Sequence, residues 1–392
     1  MVSPLQNCPW RLPRRNAVAA RVSQGADGTL FCVQRQRVRQ YLLRRMTMGC
    51  MTIAPPSASD AHPYDALTPE CVLDALSAQG LWPDGRLQAL GSYENRVYQV
   101  CLDEPVQGHD KMVVKFYRPH RWSEAQILEE HAFAQALLQA EVPMVAPLTL
   151  QGSTLHQHAG FAFSLSPWRG GRTPELEDWD TLEWIGRFLA RLHLVGEKQD
   201  FVHRPALNAQ TMGKQPMQWL LAHAEMPAHV RARWQSACEA ALAQATHTLQ
   251  SSPCRIIRLH GDCHPGNILW TPLDDAGRGG PHFVDLDDAR MGPAVQDLWM
   301  LLSGDRMQRS QQLSTLVEGY EQMRAFDRRE LALIEPLRTL RLIHYSAWLA
   351  QRWSDPAFPR AFPWFGTEAY WLEQTAILQD QLEAMQEAPL YI

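Results

Sequence analysis

Two stretches decide the reading of this chain. The first is Leu259-His260-Gly261-Asp262-Cys263-His264-Pro265-Gly266-Asn267-Ile268-Leu269-Trp270, and the second is Phe283-Val284-Asp285-Leu286-Asp287-Asp288. A Gly/Pro-rich loop carries Asp262 and Asn267 and runs straight into an apolar strand. A hairpin of Ile268–Trp270 with His282–Leu286 is expected, and Asp285, ending its second strand, returns to the same loop. One Asp, one Asn and a second Asp supply hard oxygen donors suited to Mg²⁺, with nucleotide phosphates completing the shell. In phosphoryl transfer, Asp262 would accept the proton of the attacking hydroxyl, while Asn267 and Asp285 hold the metal on the phosphate oxygens. Any one of these residues alone reads equally as a polar turn or an N-capping acid. The spaced combination, H-G-D-x-x-x-x-N and then an apolar strand ending in Asp, is far more specific.

Such chemistry also needs a cation on the nucleotide. Val113-Val114-Lys115-Phe116-Tyr117 places Lys115 inside an apolar strand, where an ammonium is costly unless paired. A helix opened by a Ser123/Gln126 capping box offers Glu129 and Glu130. Glu130 shares a face with Ile127, Ala134 and Leu137, so it is the expected Lys115 partner, and Glu129 is expected to face solvent. Lys115 as an edge-strand solubiliser is the alternative. Gly91-Ser92-Tyr93-Glu94-Asn95-Arg96 lies between two strands and could present backbone N–H groups and the Ser92 hydroxyl to phosphate, although an ordinary tight turn fits as well. Asp297 opens an apolar helix; it either braces the 260–262 loop or is a plain N-terminal acid. Nucleophilic or metal roles for Cys263 and His264 are not required by phosphoryl transfer.

Working outward, strands are expected at Leu87–Leu90, Val97–Leu102, Met112–Tyr117 and Phe161–Leu165. A helix begins at Thr68-Pro69, and helical periodicity then dominates over Leu182–Leu194, Met217–Leu249, Gln311–Phe326, Glu330–Trp353 and Glu368–Met385. The expected fold is α+β and bilobal: a small antiparallel-sheet lobe with one helix at 59–167, and a large, mainly helical lobe at 168–392. A cleft between the lobes is the expected site. The 392 residues carry a net charge of −5, which argues against a dedicated nucleic-acid binder. No stretch approaches the ~20 apolar residues of a membrane span. Eight Cys lie scattered without CxxC or metal-ligand spacing, as in a chain with reduced thiols. Residues 1–45 hold nine Arg, no Lys and one acid, Asp27. Residues 1–58 are therefore expected to form a basic extension, from an over-long start given Met46, Met48 and Met51, rather than a targeting or RNA-binding arm. Leu273–Gly280 reads as a solvent loop lengthening the hairpin.

The loop and hairpin resemble the aminoglycoside phosphotransferase and choline kinase superfamily, which has a protein-kinase-like bilobal fold. Together with Ser92–Gln99, Val113–Arg118, Gln126–His131, Phe283–Leu301 and Trp353–Trp364, they are most similar to the bacterial stress-response serine/threonine protein kinases of that superfamily. The resemblance spans roughly residues 65 to 390. It implies a cytoplasmic phosphoprotein that uses ATP and Mg²⁺, with Asp262 as proton acceptor, Asp285 as second active-site acid, Asn267 and Asp285 on the metal, and Ser92 at the ATP site. A protein substrate and a monomeric state follow from it, without nucleic-acid or membrane partners. A small-molecule alcohol acceptor, as in aminoglycoside, choline or homoserine kinases, is the alternative, and a nucleotide-sensing pseudokinase is a third reading. Only eleven residues separate Asp285 from Asp297, too few for a long activation segment. Arg341, Tyr345, Trp348, Arg352 and Phe362 belong to an aromatic- and Arg-rich stretch expected to be mostly core, with a few residues lining an acceptor cleft.

Overall fold

The computed structural model describes residues 62–272 and 279–392, and Pro63–Ile392 belong to one compact unit. The expectations for residues 1–58, and for 273–278 of the hairpin insert, fall outside the described residues.

The N-terminal lobe is a five-stranded antiparallel sheet of β1 (Pro83–Ala89), β2 (Arg96–Val106), β3 (His109–Phe116), β4 (His156–His158) and β5 (Phe161–Pro167), in the order β1-β2-β3-β5-β4. Helix α1 (Pro69–Ser77) starts where the Thr68 side chain accepts from the Cys71 N–H. Alternation along β3 sends Met112, Val114 and Phe116 into a core with Val72, Leu76, Val100, Phe163 and Leu165. Lys115 consequently projects from the opposite face. Because β3 pairs with both β2 and β5, the edge-strand alternative for Lys115 is excluded. Helix α2 (Glu124–Gln139) begins at the expected capping box, in which Ser123 and Gln126 satisfy one another's backbone N–H groups.

The C-terminal lobe contains α3 (Trp179–Gly196), α4 (Gln215–His223), α5 (Ala228–Ser251), α6 (Val295–Trp299), α7 (Arg306–Glu321), α8 (Ile334–Gln351), α9 (Ala357–Ala361) and α10 (Glu368–Ala384), over one large apolar core. The helix expected over Met217–Leu249 is two helices, α4 and α5. Ala224 is extended and Pro227 stands at the α5 N-cap, where its ring cannot continue the preceding turn.

Two short ribbons interrupt this lobe. β7 (Ile268–Thr271) pairs with β8 (Gly280–Phe283) as the expected hairpin, but β8 stops at Phe283, before Asp285. The second ribbon, β6 (Ile256–Leu259) with β9 (Arg290–Pro293), was not anticipated. β6 is four residues long and contains Arg258, whose guanidinium is buried over the Phe133 ring at 4.5 Å and donates to Val195 O. The hairpin also meets the chain leaving α2: Phe283 N–H donates to Pro143 O, and Val145 N–H to Phe283 O. Among the described residues no helix is long and apolar enough to cross a membrane.

Candidate active site

The 260–267 loop is suspended between β6 and β7, and Asp297 on α6 holds its first turn. The Asp297 carboxylate, fully buried, accepts the backbone N–H of His260 and of Gly261, each at 2.9 Å. His193 donates its Nε2–H to the same carboxylate at 3.0 Å, and Tyr320 O–H bonds His193 Nδ1. Asp297 is thus the loop brace, and the plain N-terminal acid alternative is excluded. The His260 side chain turns the other way and donates Nε2–H to Val284 O at 2.9 Å, linking the loop to the strand end beyond β8. Gly261 is required by two facts at once: its φ is +84°, and a Cβ there would lie 2.1 Å from Asp288 O.

Past this brace, Asn267 donates its side-chain amide to Asp262 O at 3.0 Å, and its carbonyl accepts Val284 N–H. Asp285 has left-handed backbone, φ 63° and ψ 74°, uncommon for a residue with a side chain. That turn, rather than a strand end, aims its carboxylate. Asp262 Oδ1 receives Arg341 Nη2 from α8 at 2.5 Å. Burial holds His264 neutral against the pull of Asp262, and burial pushes the Cys263 thiol well above its ordinary value.

Lys115 Nζ stands 3.0 Å from Asp285, 3.1 Å from Asp287 and 3.7 Å from Glu130. The expected Glu130 contact is present but is the longest of the three. Burial works against the ammonium, and the three carboxylates outweigh it, so Lys115 stays charged. Burial raises the Glu130 carboxyl; its nearest cation is Arg204, at 2.7 Å. Asp287 is likewise penalised by burial, yet Lys115 and Arg121 hold it well below the usual carboxylate range. Glu129 corrects the expectation that it faces solvent: it accepts the backbone N–H groups of Val202 (2.5 Å), His203 (3.0 Å) and Arg204 (2.9 Å). Arg204 continues the network, donating to Gln126 O, Leu286 O, Asp287 O and Ala289 O.

Asp262, Asn267, Asp285 and Ser92 all line one cleft of about 480 Å³. Lys115, half-buried, and Glu130, buried, stand beside its acidic wall. The loop between β1 and β2 covers it with Gly91, Ser92, Tyr93 and Glu94, while Arg341, His344, Tyr345, Trp348 and Phe362 form the far wall. Glu94 fastens this loop to the other lobe. It accepts from Trp348 Nε1 (2.6 Å) and Arg352 Nε (2.5 Å) and pairs with Arg118 (3.0 Å) and Arg121 (2.7 Å). Asp355 binds Arg96 and Arg118 alongside. Glu94, Asp355, Arg121, Arg204 and Asp287 escaped the sequence reading. Their partners lie far along the chain; Glu94, Asp287 and Asp355 lie in segments that carried the resemblance, whereas Arg121 and Arg204 lie outside them and had no sequence signal. Between Asp285 and Asp297 the chain is filled by a 3₁₀ turn (Leu286–Asp288) and β9.

The sequence pattern of the phosphotransferase enzyme family matches residues 86–334. The chain is 46% identical over 334 residues to stress response kinase A of Shigella flexneri, covering 85% of this chain and 98% of that one. It is 45% identical over 333 residues to the serine/threonine protein kinase RdoA of Salmonella typhimurium (strain LT2), with the same coverage. Among solved structures, amicoumacin kinase hAmiN in complex with AMP-PNP, Ca²⁺ and Ami has a TM-score of 0.61 at 18% identity, covering 82% of this chain and 94% of that one, a likeness of fold.

Proposed function

Because the chain belongs to the phosphotransferase enzyme family and is an ATP phosphotransferase, we propose that it is a Mg²⁺-dependent serine/threonine protein kinase of a bacterial stress response, monomeric and cytoplasmic. The observation that carries this reading is the meeting of Asp262, Asn267 and Asp285 in one cleft beneath the Gly91–Glu94 loop. The donor set fits Mg²⁺: Asn267 and Asp285 both line the cleft with oxygen donors, and Mg²⁺ prefers one or two protein oxygens completed by phosphates and water. Asp285, its side chain 46% exposed, and Asn267 would hold that ion, which would neutralise charge on the transferred phosphoryl group.

The other roles belong to protein groups. Lys115, kept charged by its acidic neighbours, offers a fixed cation at the edge of the nucleotide site. Ser92 and the backbone of its loop, which line the cleft, would donate to phosphate oxygens. Asp262, anchored through Asn267 and Arg341, would orient the acceptor hydroxyl and take its proton. The named relatives favour a protein hydroxyl as acceptor. The aromatic wall of Tyr345, Trp348 and Phe362 favours the second reading, a small-molecule alcohol.

The test is incubation of the purified protein with γ-labelled ATP and Mg²⁺, a generic protein acceptor and a panel of small alcohols. Label is expected in Ser or Thr of the protein acceptor. Asp262→Asn should lower turnover by about 10²–10⁴-fold while nucleotide affinity stays within about threefold. Full turnover by Asp262→Asn would remove the base assignment, and label only in small alcohols would replace the acceptor.

A further inference from the structure

Lys115 faces more carboxylate than one ammonium can serve. Asp285 stands 3.0 Å from its Nζ, Asp287 3.1 Å and Glu130 3.7 Å. Asp285 and Asp287 line the cleft, whereas Glu130 is buried on α2 outside that lining. An ammonium drawn toward Glu130 is therefore drawn away from where a nucleotide would lie. Two arginines share the load. Arg121 takes the second oxygen of Asp287 at 3.0 Å, and Arg204 takes Glu130 Oε2 at 2.7 Å, against 3.7 Å for Lys115 on Oε1. The Arg204 side chain is fully buried, lies over the Trp122 ring at 4.7 Å, and directs its other donors to Gln126 O, Leu286 O, Asp287 O and Ala289 O. It stands outside the cleft lining as well. A buried carboxylate stripped of its near cation attracts the next one strongly, because little solvent screens the pair.

We infer that Arg204 is a positioning residue for the nucleotide site: by neutralising Glu130 it leaves Lys115 to Asp285 and Asp287 at the cleft. A strand lysine and a helix glutamate would otherwise make a close pair of their own. Here the arginine holds that place and the lysine stands off. The inference rests on the reading that Lys115 serves the nucleotide. Two parts of Arg204 are separable, since its charge answers Glu130 and its other N–H groups answer backbone carbonyls. Glu130→Gln removes the need for the charge and leaves the carbonyl bonds in place.

The experiment compares the full chain with Lys115→Met, Glu130→Gln, Arg204→Met and the double variant Arg204→Met/Glu130→Gln. Affinity for the fluorescent analogue mant-ATP is measured with and without Mg²⁺, and kcat and KM for ATP are measured with the acceptor that takes label in the assay above. Arg204→Met should weaken mant-ATP binding and lower kcat/KM for ATP by about 30-fold, with KM for the acceptor within about twofold of native. Adding Glu130→Gln should restore all but about fivefold of this, because removing both partners of a buried pair costs far less than removing one. Glu130→Gln alone should also cost about fivefold, well short of the about 10²-fold expected of Lys115→Met. A double variant as impaired as Arg204→Met overturns the inference, since Arg204 would then act through its carbonyl bonds alone. So does a Glu130→Gln protein as impaired as Lys115→Met, which would make Glu130 the working partner of the ammonium; this variant decides the matter even where Arg204→Met does not fold. A Lys115→Met protein that binds mant-ATP and turns over ATP like the native chain removes the Lys115 reading and the inference with it, an outcome distinct from a failed rescue.

Discussion

Glu94→Gln removes one negative charge and changes almost nothing in size. The native carboxylate, its side chain 10% exposed, sits among the guanidiniums of Arg118, Arg121 and Arg352 and also accepts from the Trp348 indole. Removing one partner of a buried ion pair costs about 3–5 kcal/mol, because the remaining charges stay desolvated. Here Arg118 keeps Asp355, and Arg121 keeps Asp287 and Asp288, so the low end, about 3 kcal/mol, is the expectation. The unfolding entropy of a domain is about 2.1 cal/mol/K per residue, or roughly 0.7 kcal/mol/K for a unit of about 330 residues, which turns that loss into about 4 °C of Tm. The Ser92 loop should loosen at the same time, so KM for ATP should rise about tenfold with a smaller change in kcat. Thermal denaturation and initial-rate kinetics on one preparation check both. A Tm within about 1 °C of native together with an unchanged KM would refute the reasoning, since Glu94 would then not be joining the lobes.

Gly261→Ala must relieve both a left-handed backbone, about 1–2 kcal/mol for a residue with Cβ, and a 2.1 Å approach to Asp288 O. The loop should shift and kcat fall by about 10²-fold while circular dichroism stays native; full activity would show that the loop tolerates the displacement. Glu330 accepts Val295 N–H at the start of α6, and burial pushes its carboxyl up from 4.5 to about 7. Between those values the folded protein keeps a proton that the unfolded chain has released, so stability falls as pH rises from about 4.5 to 7. Glu330→Gln should flatten that fall in urea titrations across the range, and an undiminished slope would clear Glu330 of it. Lys115→Met removes the cation shared by Asp285, Asp287 and Glu130, and kcat/KM for ATP should drop by about 10²-fold. A drop of less than about threefold would mean that the nucleotide does not use this ammonium.

Local chemistry made part of the molecule readable from the chain alone. The Ser123/Gln126 capping box, the Thr68-Pro69 start and the β7–β8 hairpin are encoded within a few residues of where they act. The Asp262–Asn267–Asp285 grouping was readable for the same reason, the three lying on one loop and the hairpin that follows it. Asp297 was readable because a carboxylate at the head of an apolar helix needs donors. Contacts across the fold were not. Glu129 looks solvent-facing when helix faces are ranked by apolar neighbours, yet the 202–204 segment covers it with three backbone N–H groups. Periodicity says which side of a helix is apolar, not what loop arrives on the other side. Glu94 with Arg352, and Asp355 with Arg96, are separated by more than 250 residues, and no pattern in either segment names its partner. Strand β6 was hidden by its length and by Arg258, whose charge disguises a buried position. The break between α4 and α5 was marked by Pro227 and overrun by an apolar rhythm that continues on both sides.

Arg204 has a mechanical consequence. It grips α2 through Gln126 O and Glu130 and, with the same guanidinium, the chain just after Asp285, while its own backbone is clasped by Glu129. An outward swing of α2 would have to break the bonds of this arginine either to α2 or to the 286–289 chain, leaving buried partners on one side unsatisfied. Arg204 therefore rivets the helix that presents Glu130 to Lys115 onto the chain that follows Asp285.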